Sequence, residues 1–291
     1  MSDKSVQHPT ATQTFTVRRV EKNRSHLRRD VLITESPLEI RLIQEQGHRR
    51  IRRSISVTMR TPGQDEALAA GFLFTEGLIG KYTDIVRMDH PPIRWQEAEN
   101  VLDVHLRTDL NLDWSRTERH FYTSSSCGVC GKGSLELVRT QSVYLLPPET
   151  PQVSPHLVMQ LPAKLRQQQA LFAHTGGVHA VGLFRSDGEL LHVQEDVGRH
   201  NAMDKVVGSA LRNGQLPLRE HIGVLSGRAS FELVQKAAMA GIPLLIAVGA
   251  PSSLAVELAE EQGMTLVGFA GASRFNVYSG FQRIGSLANN H

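Results

Sequence analysis

Three scarcities limit the classes to which this chain can belong. Its 291 residues include only two cysteines, Cys127 and Cys130. Two cysteines are too few for a disulfide framework, so we expect a reducing compartment, the cytoplasm. No run of about 18 consecutive apolar residues exists, which argues against a membrane protein. The first segment, MSDKSVQHPTATQT, lacks the apolar stretch of a secretion signal, and residues 1–14 are predicted to be a flexible tail.

Aromatic residues are also few, at 5% of the chain. We find no basic stripe interleaved with aromatic residues of the kind that binds single-stranded nucleic acid, so no nucleic-acid partner is expected. The net charge is +3 and the sequence pI is 9.0, which suits an anionic ligand without requiring one. Hydrophobic residues at 40% and charged residues at 21% are typical of a globular protein with a core.

The first half of the chain, residues 15–150, is predicted to be a β-rich subdomain. The stretches LEIRLI and HRRIRRSISVTMR alternate loosely between apolar and polar residues, which predicts antiparallel strands with one polar face. The stretch TPGQDEALAAGFLFTEGLIG predicts a helix with Thr61 as its cap, Pro62 in its first position and Gly77 at its end.

Residues 151–291 are predicted to form a second, α/β domain. The pattern of apolar residues gives the order α-β-β-α-β-α-β-α-β, with a hairpin at Ser186-Asp187-Gly188-Glu189. Because the later strands are almost continuously apolar, we expect a three-layer α/β fold whose mixed sheet is largely parallel.

The cysteines lie in a glycine-rich stretch, TSSSCGVCGKGS, with no acidic residue between Arg119 and Glu136. A positive local field favours the thiolate form of a cysteine. The pair suits persulfide chemistry, in which one cysteine holds a sulfane sulfur and the other assists its release. Two alternatives stay open: a zinc site completed by His174 and His179, and inert thiols.

Strand-to-helix turns in the second half are candidate anion sites. LSGRAS, with Ser226 and Arg228, and VGAPSS each place small residues and backbone N–H groups at a helix start. FAGASRFN offers an aromatic ring for stacking and a cation for phosphate, and its candidate residues are Phe269, Ala270, Gly271, Ala272, Ser273 and Arg274. The alternative is that these are ordinary caps and turns.

The stretch EDVGRHNAMDK is given a structural interpretation. Asp196 is predicted to cap a helix, and Arg199 is predicted to pair with Asp204 along one helix face. His200 could be a general acid or base, although a single His at a helix start is more often structural.

Several of these stretches, in this order, resemble formate dehydrogenase accessory proteins of the FdhD/NarQ family. They are TPGQDEALAAGFLFTEGLI, SSSCGVCGKGS, HTGGVHAVGLF, EDVGRHNAMDKVVG, LSGRASFELVQKAAMAGIPLL, GAPSSLAVELAEEQGMTLVGFA and RFNVYSG. The resemblance implies a sulfurtransferase that accepts persulfide sulfur from a cysteine desulfurase on Cys127, assisted by Cys130. It would pass the sulfur to the molybdenum cofactor, bis(molybdopterin guanine dinucleotide), before insertion into formate dehydrogenase.

The resemblance also implies a cytidine-deaminase-like core, a homodimer, and cofactor binding at Phe269 to Arg274, where a guanine nucleotide could mimic the cofactor. It implies no catalytic metal. Where the family commonly has Arg-Gly after the Phe, this chain has Gly271-Ala272, and Arg274 is the cation that remains. Deaminase chemistry is not expected, because its zinc signature of H-x-E before P-C-x-x-C is missing. The alternatives are a cofactor-binding chaperone without sulfur transfer and a zinc-stabilised nucleotide-binding protein.

Overall fold

The computed structural model describes residues 10–47, 49–91, 98–112 and 144–286. Cys127 and Cys130 therefore lie outside the described residues. The described chain forms twelve strands, in three sheets, and six α-helices. Within these ranges, no helix is both long enough and apolar enough to cross a membrane.

The strands are β1 (Thr12–Glu21), β2 (Arg24–Ile33), β3 (Ser36–Gln46), β4 (Arg49–Arg60), β5 (Ile85–Asp89), β6 (Val101–Leu106), β7 (His179–Arg185), β8 (Leu190–Asp196), β9 (His221–Leu225), β10 (Leu244–Ala247), β11 (Thr265–Gly268) and β12 (Asn276–Ser279). The helices are α1 (Asp65–Thr75), α2 (Pro155–Gln167), α3 (Ala170–Thr175), α4 (Arg199–Arg212), α5 (Phe231–Met239) and α6 (Ser253–Glu261).

The second half of the chain builds a six-stranded mixed sheet with the order β12-β11-β10-β9-β7-β8. Strands β9, β10 and β11 are parallel, while β7 and β12 run antiparallel to their neighbours. The predicted α/β class is thus confirmed, and the hairpin joins β7 to β8 as expected. The sequence analysis missed β12 and read α2 and α3 as one helix. The cytidine-deaminase-like character of this core stays a prediction.

Helices cover both faces of this sheet. Helix α2 packs Val158, Leu161 and Leu165 on the face that includes Phe184 and Ile222. Helices α4, α5 and α6 pack on the other face, which strands β7, β9, β10 and β11 also line. Apolar side chains from alternate positions of each strand therefore enter two separate cores, as a sheet buried on both sides requires.

The first half of the chain builds a four-stranded sheet, in the order β4-β3-β6-β5, and a two-stranded ribbon, β1-β2. The predicted antiparallel pairing of LEIRLI with the Arg-rich strand is confirmed in β3 and β4. Strand β1 begins at Thr12, inside the segment predicted to be a tail, so that boundary was placed too late. The division near residue 150 stays a prediction, and the largest hydrophobic cluster contains residues from both sides of it.

Helix α1 starts later than predicted. It begins at Asp65, after Gln64 in a left-handed conformation (φ 59°), and not at Thr61 and Pro62. The reason is a long-range contact: the Thr61 backbone N–H donates to Asp196 Oδ2 at 3.1 Å, and its hydroxyl accepts from the Val197 N–H. These bonds hold Thr61 against the end of β8 and keep it out of the helix. Gly77 follows the end of α1 with φ 72°, as its predicted terminal role requires.

Helices α1 and α4 cross in backbone contact, which fixes the two halves of the chain together. A Cβ atom added to Gly71 would lie 1.9 Å from the backbone oxygen of Asp204, and one added to Gly208 would lie 1.9 Å from that of Ala67. No side chain fits at either point, because non-bonded carbon and oxygen atoms do not approach so closely. The crossing therefore requires glycine on both helices.

Two buried ion pairs flank this crossing. Lys205 Nζ lies 2.7 Å from Asp196 Oδ2, and the two side chains are almost fully buried. Lys236 Nζ lies 2.8 Å from Asp204 Oδ1. The predicted pair of Arg199 with Asp204 is wrong, since the Asp204 carboxylate accepts from Lys236 of α5 and from the Thr75 hydroxyl instead. The prediction that Asp196 caps this helix is also wrong: the N-cap is Gly198, and the Asp196 carboxylate accepts from the Gly198 N–H.

Candidate functional site

Three turns lie side by side at the carboxyl ends of the parallel strands. The Gly249 N–H donates to the Gly227 oxygen at 2.9 Å, which joins the turn after β10 to the turn after β9. The Phe269 N–H donates to the Gly249 oxygen at 3.1 Å, which adds the turn after β11. The candidate anion sites of the sequence analysis thus share one edge of the sheet, where open α/β sheets usually bind ligands.

The turn after β11 exposes its aromatic residue in a strained conformation. Phe269 has φ 52°, a left-handed value that bulky residues rarely adopt, and 45% of it is exposed. The Gly271 N–H donates to the Arg274 oxygen at 3.0 Å and closes the turn. Ala270 is buried, whereas Ala272, Ser273 and Arg274 are exposed. An exposed ring held in a costly backbone conformation is a feature more typical of binding sites than of cores.

The turn after β9 contributes a hydroxyl group and a cation. The Ser226 hydroxyl accepts from the Ala180 N–H at 2.8 Å, so its own hydrogen stays available for donation. Arg228 is exposed and makes no ion pair with any residue that the structure describes. Its Cγ lies close to Gly249, where an added Cβ would be only 2.9 Å away. This glycine therefore lets the two turns approach each other.

The serines that start helices on this edge have different roles. The Ser252 hydroxyl caps α6 by accepting from the Ala255 N–H at 3.2 Å, the ordinary role of such a residue. Ser230 makes no such cap on α5, and its hydroxyl lies 3.3 Å from His200 Nε2. The hydrogen bond from His200 is the main cause that lowers the pKa of Glu232 to about 2. His200 therefore links α4 to the start of α5, and its structural interpretation stays a prediction.

A half-buried histidine, His179, lies with cationic neighbours against the turn after β9. An added Cβ on Gly227 would lie 3.3 Å from His179 Nδ1, so the ring packs against the turn. Burial lowers the pKa of His179, and the charges of Arg199 and His200 lower it further. These surroundings favour the neutral form of its imidazole. The Nε of Arg199 is buried with no partner in the described part of the chain.

A cavity of about 700 Å³ opens beside these turns. Helices α2 and α3 form one wall, and the sheet edge forms the other. Its lining is mostly apolar with a few polar groups, as in many small-molecule sites. The residues are Pro162, Ala163, Leu165, Arg166, Gln169, Phe172, Gly176, Gly177, Val178, His179, Ser226, Val248, Ala270 and Gly271.

The sequence analysis did not predict the break between α2 and α3 that shapes this wall of the cavity. The break between α2 and α3 has no Gly or Pro to mark it, and Glu195 of β8 holds it in place. The two carboxylate oxygens of Glu195 accept from the N–H groups of Leu171, at 2.8 Å, and Phe172, at 2.9 Å. This bidentate contact places the Phe172 ring on the cavity, with the Arg166 guanidinium 3.6 Å from the ring centroid. Only correlated changes between Glu195 and the residues of α3, in an alignment of related sequences, would have indicated this contact.

The candidate residues fall into three groups. Ser226, Ala270 and Gly271 line the cavity, and Arg228, Phe269, Ala272, Ser273 and Arg274 belong to the turns beside it. Cys127 and Cys130 are outside the described residues, so their position relative to the cavity stays open. Among the residues that are described, no three His, Cys, Asp or Glu side chains cluster in a way that could hold a metal ion.

The family of the chain follows from a sequence match that spans both halves. The sequence model of the FdhD/NarQ family matches residues 33–285, which include both cysteines and all three turns. The chain therefore belongs to the FdhD/NarQ family, and the resemblance described above is confirmed.

Curated relatives are similar in sequence to this chain over nearly their whole length. The chain is 48% identical over 277 residues to a Streptomyces coelicolor protein named sulfur carrier protein FdhD, covering 94% of this chain and 95% of the relative. It is 49% identical over 261 residues to the Mycolicibacterium paratuberculosis protein of the same name, covering 89% and 93%.

A solved structure shows the same fold. It is the crystal structure of a formate dehydrogenase accessory protein from Desulfotalea psychrophila, with a TM-score of 0.70 and 24% identity. The match covers 94% of this chain and all of that chain. The arrangement of helices and strands described above is therefore shared with that protein.

Proposed function

We propose that this chain is a cytoplasmic sulfur carrier with sulfurtransferase activity in the maturation of formate dehydrogenase. It accepts a sulfane sulfur from a cysteine desulfurase as a persulfide on Cys127. It then passes this sulfur to the molybdenum cofactor bis(molybdopterin guanine dinucleotide), before the cofactor enters formate dehydrogenase. The observation that carries the proposal is the name sulfur carrier protein of relatives nearly half identical to this chain, combined with its single Cys-x-x-Cys pair.

The second cysteine allows the persulfide sulfur to leave as hydrosulfide. The Cys130 thiolate attacks the inner sulfur of the Cys127 persulfide, breaks its S–S bond and releases hydrosulfide. The sulfane sulfur gains two electrons, and the two cysteines lose two in forming a disulfide. The hydrosulfide then replaces an oxo ligand of the molybdenum, which leaves as hydroxide. A dithiol reductant of the cell returns the disulfide to two thiols, which closes the cycle.

The sheet edge supplies features that suit the cofactor as a bound substrate. Arg228 and Arg274 are exposed cations for its phosphates, and Phe269 is an exposed ring for stacking. A guanine nucleotide such as GDP should occupy the same place, because it carries the same guanosine phosphate portion. We further propose a homodimer as the working form.

The first experiment tests the persulfide. The protein is incubated with a cysteine desulfurase and cysteine, and its intact mass is measured before peptide mapping. We expect a gain of one sulfur atom on Cys127 that a reductant removes, and no gain in Cys127→Ala. Formate dehydrogenase produced with Cys127→Ala should be inactive, whereas GDP should bind that variant as it binds the wild-type protein.

The contrary result would favour the chaperone alternative. In that case neither cysteine takes up sulfur although the protein is folded and binds GDP, or Cys127→Ala still supports an active formate dehydrogenase. The Cys130→Ala variant separates the two cysteines: it should accumulate the persulfide on Cys127 and release it slowly.

A further inference from the structure

The α2–α3 wall of the cavity carries a buried polar side chain whose amide nitrogen bonds nothing in the described part of the chain. Gln169 is only 4% exposed, lines the cavity, and its Nε2 has no hydrogen-bond partner in the structure as described. A buried amide donor without a partner costs roughly 1–3 kcal/mol. Native proteins seldom leave such a group unpaired unless a ligand or an ordered water completes it.

The ordinary explanation for this residue does not apply. Gln169 stands at the N-cap position of α3, where a polar side chain would usually bond the first N–H groups of the helix. It makes no such bond, because Glu195 already accepts from the N–H groups of Leu171 and Phe172. The Nε2 of Gln169 is thereby left without a partner in the described chain, in a residue that lines the cavity.

The neighbours of Gln169 favour a flat ring. The Arg166 guanidinium lies on the Phe172 ring, 3.6 Å from its centroid, and both side chains line the cavity. Aromatic rings and guanidinium groups are the side chains on which heteroaromatic bases stack. A cavity of about 700 Å³ has room for one such ring with its sugar or side chain.

We infer that Gln169 reads the carbonyl edge of a fused heteroaromatic ring that stacks beside Phe172. On binding, the carboxamide turns toward the ring, so that its Nε2 donates to the ring carbonyl and its oxygen accepts from the adjacent ring N–H. Guanine and pterin both present this amino-oxo-pyrimidine edge, whereas adenine has no carbonyl. The inference rests on the proposed function in that the molybdenum cofactor contains both rings. It adds a specificity-determining residue, on a wall of the cavity distant in sequence from Phe269 to Arg274.

The test is calorimetric titration of the full chain with GDP, neopterin monophosphate and ADP. The variants are Gln169→Leu, which keeps the volume of the side chain, and Gln169→Met, which also keeps its length. Gln167→Leu is the matched control, because Gln167 is exposed and does not line the cavity. Circular dichroism verifies that each variant is folded.

We expect both Gln169 variants to bind GDP or neopterin monophosphate about tenfold more weakly, a change of about 1.4 kcal/mol. Weaker binding of GDP identifies the guanine ring as the occupant, and weaker binding of neopterin monophosphate identifies the pterin. Unchanged binding in both variants, equal loss in Gln167→Leu, ADP binding as tight as GDP, or no binding to the wild type would each overturn the inference. Persulfide formation on Cys127, measured on the same samples, tests the proposed function separately, since it does not require the cavity.

Discussion

The lysines of the core and the arginines of the sheet edge carry the same charge, but they differ in burial and in pairing with carboxylates. Lys205 and Lys236 are buried, and each lies within 3 Å of a carboxylate oxygen. Arg228 and Arg274 are exposed, and neither pairs with a carboxylate in the described chain. The core cations therefore complete the fold, whereas the edge cations add nothing to it that the structure shows. A positive charge kept without a structural partner is available to an anionic ligand.

The largest expected effect comes from breaking a core pair. Lys205→Met should lower the free energy of unfolding by about 3–5 kcal/mol, because it leaves the Asp196 carboxylate buried without its cation. Urea denaturation measures the loss. Arg212→Met on the same helix is the control: Arg212 pairs with Glu66 at the surface, so its loss should be below about 1 kcal/mol. Equal losses in the two variants would mean that burial does not distinguish these cations.

An intermediate effect on stability is expected at Glu232, in the first turn of α5. The pKa of Glu232 is lowered to about 2, mainly by the hydrogen bond from His200. A carboxyl group with a lowered pKa stabilises the fold above its ordinary value of 4.5 and loses this contribution as the pH falls toward 2. With screening by solvent, we expect the contribution to be roughly 1–2 kcal/mol.

Glu232→Gln tests this expectation. The variant should be less stable than the wild type near pH 6, and the difference should shrink between about pH 4.5 and pH 2, measured by thermal unfolding over that range. Glu257→Gln, at an exposed position of α6, should show no such convergence. A Glu232→Gln difference that stays constant with pH would refute the role of this hydrogen bond.

The smallest effect on stability, together with a clear effect on ligand binding, is expected at the edge. Arg228→Ala should change the free energy of unfolding by less than about 0.5 kcal/mol. It should weaken binding of GDP about tenfold and leave binding of guanosine unchanged, because only GDP has phosphates for the guanidinium. Arg219→Ala, at the opposite end of β9, is the control and should change neither. If guanosine binding falls as much as GDP binding, the role of Arg228 as a phosphate partner is wrong.

Local patterns in the sequence were sufficient for much of the fold. Alternation predicted β3 and β4, continuous apolar runs predicted β9 to β11, and Ser186 to Glu189 marked the hairpin. The same patterns brought Ser226, Arg228 and Phe269 to one edge, because the carboxyl ends of parallel strands share an edge. The proposed function came from the long motifs shared with a known family, and not from periodicity.

What the sequence could not predict depends on contacts between distant positions. The bond from Thr61 to Asp196 spans 135 residues, and the bond from Thr75 to Asp204 spans 129. Such pairs leave no trace in spacing or composition, so the start of α1 and the partner of Asp204 were wrong. Glu195, which shapes the helical wall of the cavity, lies 24 residues from Leu171 and was overlooked for the same reason.

The glycine crossing of α1 and α4 decides how the protein can be divided in the laboratory. A cut near residue 150 would separate Gly71 from Gly208, and each fragment would expose a helix face made for close contact with the other. Fragments expressed alone should therefore aggregate, whereas the two expressed together should reassemble by complementation. The crossing also marks the part of the chain to leave untouched when tags or fluorophores are inserted.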